Sequence, residues 1–306
     1  MTLYNRLQTP MDTLSQLTEI NLDDLVSSFG WENFPRLASL LRGGFRAPSE
    51  KFARQMLDFD QNVGRNGLPA ASRAALARYA SQLRAYGLEN LPASGPALFL
   101  ANHPGMTDTL SLFAAINRAD LRIIALDRPF LQALPNTTRH LFFIDDTPAG
   151  RMRAVKQTAS HLKNGGAVLT FPAGKIEPDA DVYPGARESL LDWTDSAGVF
   201  LRFAPETQVI PTLARGVLWE KAVKHPLTRL KKTQFEREKL GAALQLLAHI
   251  VFDQKPLKTS IQFGPPICAA TLGTTDSAAI HAALLEAMRA LLQTPPNGAG
   301  TPIPLA

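Results

Sequence analysis

The run PALFLA at residues 96–101 is apolar at almost every position, and five further short runs share its β-rich character. They are LRIIAL (121–126), HLFFID (140–145), GAVLTF (166–171), TQVIPTLA (207–214) and KTSIQFG (258–264). Several are apolar on both alternating faces, as strands are when helices cover both sides of a sheet. Between them lie segments with apolar residues at three-to-four spacing: TLSLFAAIN, RPFLQAL, GRMRAVKQTASHLKNG, RESLLDWTDSAG, QFEREKLGAALQLLAHIVF and SAAIHAALLEAMRALLQ. This alternation predicts an α/β fold, a mixed central β-sheet flanked by helices, over residues 91–293. Upstream, DTLSQLTEINLDDLVSSF, PSEKFARQMLDFDQNVG and PAASRAALARYASQLRAYG carry the helical period and predict a helical bundle over residues 1–90. Gly43-Gly44, Pro48 and Gly67 with Pro69 are the expected breaks, and Gly87 the expected stop. The Pro/Gly-rich tail, residues 294–306, reads as disordered.

Composition narrows the class without deciding it. At 45% hydrophobic and 19% charged, the 306 residues have a globular make-up, and no apolar run reaches the ~18 residues of a membrane span. A single cysteine, Cys268, and an N-terminus without a secretory layout lead to the expectation of a cytoplasmic location. The net charge of +5 is concentrated: KAVKHPLTRLKK, residues 221–232, holds five Lys and Arg and no acid. Such a segment suits an ordinary solvated face, or docking to anionic headgroups, a nucleotide-bearing thioester or an acidic carrier protein. It lacks the interleaved aromatics of a nucleic-acid surface, so no nucleic-acid partner is expected.

Candidate chemistry begins where PALFLA ends. The stretch ANHPGMTD (101–108) delivers His103 into a loop at a strand's carboxyl end, where open α/β sheets bind ligands. Asp108, in the first turn of the next helix, can reach one ring nitrogen of His103, leaving the other as a general base. Amides around Gly105 and Thr107 could receive a developing oxyanion. Taken alone, the spacing fits equally a loop histidine followed by a helix-start aspartate. A second stretch, AVLTFPAGKIEPD (167–179), opens another strand end into a turn with Lys175 as an anion-binding charge, or simply a surface turn.

Other chemistries fail on inspection. No G-x-S-x-G elbow supplies a serine nucleophile, Gly174-Lys175 lacks the remainder of a phosphate loop, and no G-x-G-x-x-G follows a strand. The six histidines, at 103, 140, 161, 225, 249 and 281, lack the paired spacing of a zinc site, so no metal is expected. A His/Asp base without a protein nucleophile suits direct transfer between two bound substrates.

In order, NHPGMTD, FPAGK, VIPTLARG and IQFGPPI resemble the blocks of the glycerolipid acyltransferases, the glycerol-3-phosphate and lysophosphatidic acid acyltransferase superfamily. Asn102, His103 and Asp108 match the N-H-x4-D block; Phe171, Pro172 and Gly174 match F-P-E-G-T-R; Val209 to Pro211 match the apolar strand ending in proline. The resemblance implies acyl transfer from acyl-CoA or an acyl carrier protein, as co-substrate and with no cofactor, to a hydroxyl of glycerol-3-phosphate or a lysophospholipid. It implies His103 as base and Asp108 as its orienting partner. It also implies Asn102, Gly105, Thr107, Phe171, Pro172, Gly174 and Lys175 about the substrates, at the inner face of a membrane. The acyl chain is expected to enter by peripheral contact or through a groove between bundle and sheet. Two blocks depart from the pattern. Phe143-Ile144-Asp145-Asp146 carries acid where an arginine is usual, and Ala173 and Ile176 replace Glu and Arg. Arg151, Arg153, Arg187 or Lys175 is expected to supply the missing charge. These departures keep open a non-catalytic lipid- or acyl-carrier-binding protein on a decayed scaffold, and, more weakly, a thioesterase-like hydrolase.

Overall fold

A computed structural model of the chain describes all residues except 1–9, 295, 297 and 306, so the expected helical character of the first nine lies outside it. Eight strands form one sheet: β1 (Ala80–Tyr86), β2 (Ala97–Ala101), β3 (Arg122–Leu126), β4 (Leu141–Ile144), β5 (Ala167–Thr170), β6 (Gln208–Arg215), β7 (Leu257–Phe263) and β8 (Thr301–Ile303). Their order is β4-β3-β5-β2-β6-β7-β1-β8. Strands β4 to β6 run parallel, β7 is antiparallel to β6, β1 is parallel to β7, and β8 is antiparallel to β1. The expected mixed α/β sheet is therefore present.

The central strands are buried from both sides because their side chains alternate between two cores. Phe99, Leu169, Ile210 and Phe263 face helices α3 (Leu68–Leu76) and α4, the helix Met106–Ile116 that follows β2. Leu98, Leu100, Val168 and Leu213 face the opposite way, against the helices Pro148–Lys163, Ser196–Phe203 and Ser277–Gln293.

The N-terminal segment is helical, as α1 (Pro10–Phe29), α2 (Pro35–Asn66) and α3. Helix α2 runs unbroken through Gly43, Gly44 and Pro48, where breaks were expected. An interior proline costs ~3 kcal/mol and each interior glycine ~1 kcal/mol. Apolar burial on both sides of Pro48 offsets this, with Leu41 packed on α1 and Phe52, Ala53 and Met56 packed beneath it. Those residues also meet Ile250 and Leu247 of the helix Gln234–Phe252, which joins this segment to the rest of the molecule.

Two elements differ from expectation. Ala80–Tyr86, read from its apolar spacing as the end of a helix, is β1. It pairs with β7 on one edge and β8 on the other, and those tertiary hydrogen bonds override a local preference for helix. The tail expected to be disordered contributes β8, whose Pro302 stands opposite Arg84 on the outermost strand, the position where proline is tolerated. The Arg84 guanidinium holds the carbonyls of Ala299 and Gly300, fastening the tail over an otherwise open edge.

Candidate active site

Strand β2 ends at Ala101, and the next two residues leave the sheet in different ways. Asn102 is buried, its amide bridged to the main chain of Ala214 on β6: Nδ2–H donates to the carbonyl at 3.0 Å, and the Ala214 N–H donates to Oδ1 at 2.7 Å. His103 turns outward with 26% of its side chain exposed. Its Nδ1 lies 2.9 Å from Oδ2 of Asp108, in the first turn of α4. Asp108 is fully buried and holds two further donors, the Gly105 amide at 3.0 Å and the Thr109 hydroxyl at 2.9 Å. An acceptor-only carboxylate at this point makes Nδ1–H the donor and leaves Nε2 with its lone pair.

The imidazole is fixed by more than this bond. Its ring stacks on Phe171, with centroids 4.4 Å apart and planes 26° from parallel. Its main chain is clasped by Glu177: the His103 N–H donates to Oε2 at 3.0 Å, and the Glu177 N–H donates to the His103 carbonyl at 2.9 Å. Burial opposes a charge on the ring, but the Asp108 carboxylate outweighs it through charge and hydrogen bond. Glu177 adds to the same side and Arg128 opposes, and the His103 pKa rests above the ordinary 6.5.

Sequence reasoning passed over the acids of the IEPD stretch. Glu177 is 1% exposed; besides the His103 amide it accepts the Trp193 indole N–H at 2.8 Å and the Ser189 hydroxyl at 3.0 Å, while burial raises its pKa. Asp179, two residues on, accepts the amides of Asp181, Gly216, Val217 and Leu218 at 2.8 to 3.2 Å, and burial raises its pKa too. One short segment thus pins both the histidine loop and the loop leaving β6.

A groove of about 420 Å³ opens beside this loop. It is bounded by Gly105, Met106 and Thr107, by Val217 and Leu218, and by residues of α1, α2 and the helix Gln234–Phe252. Leu25, Phe52, Phe130, Leu246 and Ile250 make its walls largely apolar, and Arg128 and Lys239 place two cations on it beside Asp24. The groove lies between the N-terminal helices, the helix Gln234–Phe252 and the start of α4, and none of its lining residues belongs to a strand.

The expected site residues divide accordingly. His103, Asp108 and Phe171 come together as one cluster. Asn102 and Thr107 are engaged internally, the Thr107 hydroxyl donating to the Val217 carbonyl at 3.2 Å, and the Gly105 amide is engaged by Asp108. Pro172 is buried with its carbonyl accepting from Thr194, and Gly174 forms a turn at φ +63°. The expected cations lie elsewhere: Lys175 is paired with Asp192 at 2.9 Å, Arg151 lies exposed 3.9 Å from Asp146, Arg153 pairs with Asp145 at 3.1 Å, and Arg187 is exposed. None of these lines the groove. Arg128 stands just past the carboxyl end of β3, so the strand-end reasoning that found His103 would have reached it; Lys239, on a helix face, carries no such signal.

Residues 82–212, from within β1 to within β6 and including the His103–Asp108 pair, match the family model described as Acyltransferase. No curated protein matches the chain. Among solved structures it is similar to the 1-acyl-sn-glycerophosphate (LPA) acyltransferase PlsC from Thermotoga maritima, at 16% identity, covering 90% of this chain and 96% of that one with a TM-score of 0.45. Among the described residues, no group of three or more His, Cys, Asp or Glu is placed to hold a metal ion, and no helix is long and apolar enough to cross a membrane.

Proposed function

We propose that this chain is a glycerolipid-type acyltransferase, moving a fatty acyl group from a thioester, acyl-CoA or acyl carrier protein, to a hydroxyl of a glycerolipid-type acceptor. The observation that carries the reading is the 2.9 Å His103–Asp108 hydrogen bond at a loop that borders an apolar groove. Nε2 of His103 removes the hydroxyl proton, and Asp108 stabilises the resulting imidazolium. The alkoxide attacks the thioester carbonyl. With Gly105 engaged, the amides of Met106 and Thr107 at the start of α4 are the candidates for the oxyanion. Collapse of the tetrahedral intermediate breaks the carbon–sulfur bond, and His103 returns its proton to the thiolate. No acyl-enzyme forms.

Arg128 and Lys239, the cations on the groove, favour a phosphate-bearing acceptor, glycerol-3-phosphate or a lysophospholipid. Access to lipid is by a peripheral surface at the inner face of a membrane. The basic segment 221–232 supplies charge for that surface, and exposed Leu227 and Leu230 within it supply apolar contact; Lys231 Nζ ties the segment to the α1–α2 turn through the Phe29 carbonyl at 2.8 Å. The test is thiol release from an acyl thioester with a panel of lysolipid acceptors. Release that depends on acceptor and is lost in a folded His103→Ala variant is expected. Activity within about tenfold of wild type would exclude His103 as the base; binding without His103-dependent release would favour a non-catalytic carrier, and release without acceptor a hydrolase.

A further inference from the structure

Glu177 is a buried acid that the acyl-transfer chemistry above does not use. It lies 74 residues from His103 in sequence, yet its main chain and side chain each make one hydrogen bond to the main chain of His103. Its two oxygens together take three donors: the His103 amide, the Trp193 indole and the Ser189 hydroxyl. The N–H groups of His103 and Trp193 fall one on each carboxylate oxygen, and the Ser189 hydroxyl, which also lies 2.9 Å from the Ala186 carbonyl, can donate or accept. A carboxamide would satisfy one of these N–H groups and turn its own NH2 toward the other, whereas burying a carboxylate costs several kcal/mol unless it is compensated. A carboxylate at this point therefore does something that a carboxamide could not. The charged groups acting on the His103 ring are Asp108, Glu177 and Arg128, and Glu177 is the second negative charge among them.

We propose that Glu177 is a positioning residue for acyl transfer: it fixes the main chain of His103 and adds a second negative charge favouring the imidazolium formed when His103 takes the acceptor proton. The proposal deepens the acyl-transfer reading and rests on it for its catalytic consequence, but its physical content can be read without turnover.

The experiment follows the His103 ring through its pH titration by NMR of histidine-labelled protein, the signal assigned by its absence in His103→Ala. Glu177→Gln removes the charge: its oxygen keeps the His103 amide and its nitrogen donates to Ser189 Oγ, at the loss of the Trp193 bond. Its His103 midpoint is expected to fall by about half a pH unit or more. The acid limb of kcat/KM for thiol release moves the same way, because a base becomes competent on losing its proton and a lower pKa brings that point to lower pH. Asp179→Asn is the control: that carboxylate is equally buried in the same segment but serves the amides of Gly216 to Leu218, and its loss leaves the His103 midpoint in place. A folded Glu177→Gln protein with the wild-type midpoint overturns the proposal. If the amide variant does not fold, the Glu177 carboxyl carbon signal of the wild type decides: a side chain still protonated through the His103 titration carries no charge there and overturns the proposal. Absence of thiol release by the wild type would overturn the acyl-transfer reading while leaving the titration to decide Glu177.

Discussion

Replacing Asp108 by asparagine separates the charge of this residue from its shape, and the geometry says how the replacement will sit. Oδ2 accepts two N–H groups, from His103 Nδ1 and Gly105, whereas Oδ1 accepts only the Thr109 hydroxyl, which can reverse its role. The asparagine oxygen therefore takes the Oδ2 position and the amide nitrogen turns to Thr109. His103 keeps its tautomer and α4 keeps its bond to Gly105, so folding stability falls by no more than ~1–2 kcal/mol. The loss falls on the imidazolium. A hydrogen bond to a charged partner is worth ~1.5–3 kcal/mol, and the Coulomb attraction adds to it in a buried site. A barrier raised by ~3–4 kcal/mol corresponds to a kcat lower by about 10²–10³. In serine proteases, where the equivalent change also misplaces the tautomer, the loss is about 10⁴. A pH signature accompanies the drop. Asp108 is the main influence raising the His103 pKa above 6.5, against burial, so its neutralisation moves the acid limb of kcat/KM to lower pH. The assay is thiol release across pH with a saturating acceptor, alongside thermal unfolding. A folded Asp108→Asn protein within about tenfold of wild type, with its acid limb unmoved, would refute this account of the pair.

The groove supplies two further predictions. Ala243→Phe, which projects a ring into the cavity from the helix Gln234–Phe252, is expected to cost long-chain thioesters about fourfold in kcat/KM for each methylene no longer buried, and short-chain ones little. A loss independent of chain length would remove the groove from the acyl path. The double variant Arg128→Ala, Lys239→Ala should raise KM about tenfold or more for phosphate-bearing acceptors and hardly change it for uncharged alcohols. Removing Arg128, which disfavours the charged His103 ring, also moves the acid limb upward, and equal effects on both acceptor classes would refute the headgroup role.

Much of the fold was legible because its signal is local. The strands from PALFLA to KTSIQFG announce themselves by apolar alternation, and the helices Gln234–Phe252 and Ser277–Gln293 have the bounds that their patterns predict. β1 and β8 were not legible, because a segment with helical apolar spacing and a Pro/Gly-rich tail become strands only through each other and β7. The site divides in the same way. His103 and Asp108 are five residues apart, within reach of a spacing argument. Asn102 appeared as a motif residue, but its partner Ala214 lies 112 positions away, and nothing nearby in sequence shows that the motif asparagine bridges strands. Arg128, Lys239 and Glu177 come to the histidine loop or its groove from separate elements, whereas proximity along the chain pointed to Lys175, Arg151, Arg153 and Arg187, none of which lines that groove.

Sheet order explains why these distant partners converge. β2 lies between β5 and β6, all three parallel, so their carboxyl ends open on the same side. The loop after β5 supplies the Phe171 ring and the Glu177 carboxylate to His103; β6 and the loop after it supply Ala214 to Asn102 and Val217 to Thr107. Asp179 then ties those two flanking loops to each other at Gly216 to Leu218. His103 is thereby restrained from three independent directions: its own helix start through Asp108, one neighbouring strand through stacking and the main-chain clasp, and the other through the residue before it. A general base must lie within about 2.6–3.2 Å of the proton it takes, and a misplacement of about 1 Å can cost 10²-fold in rate. Buried polar groups that individually oppose folding are tolerated here because each is hydrogen-bonded and together they restrain the ring. The H-x4-D spacing supplies the imidazole and the carboxylate, but the β5-β2-β6 neighbourhood holds them together, and spacing alone does not supply that neighbourhood.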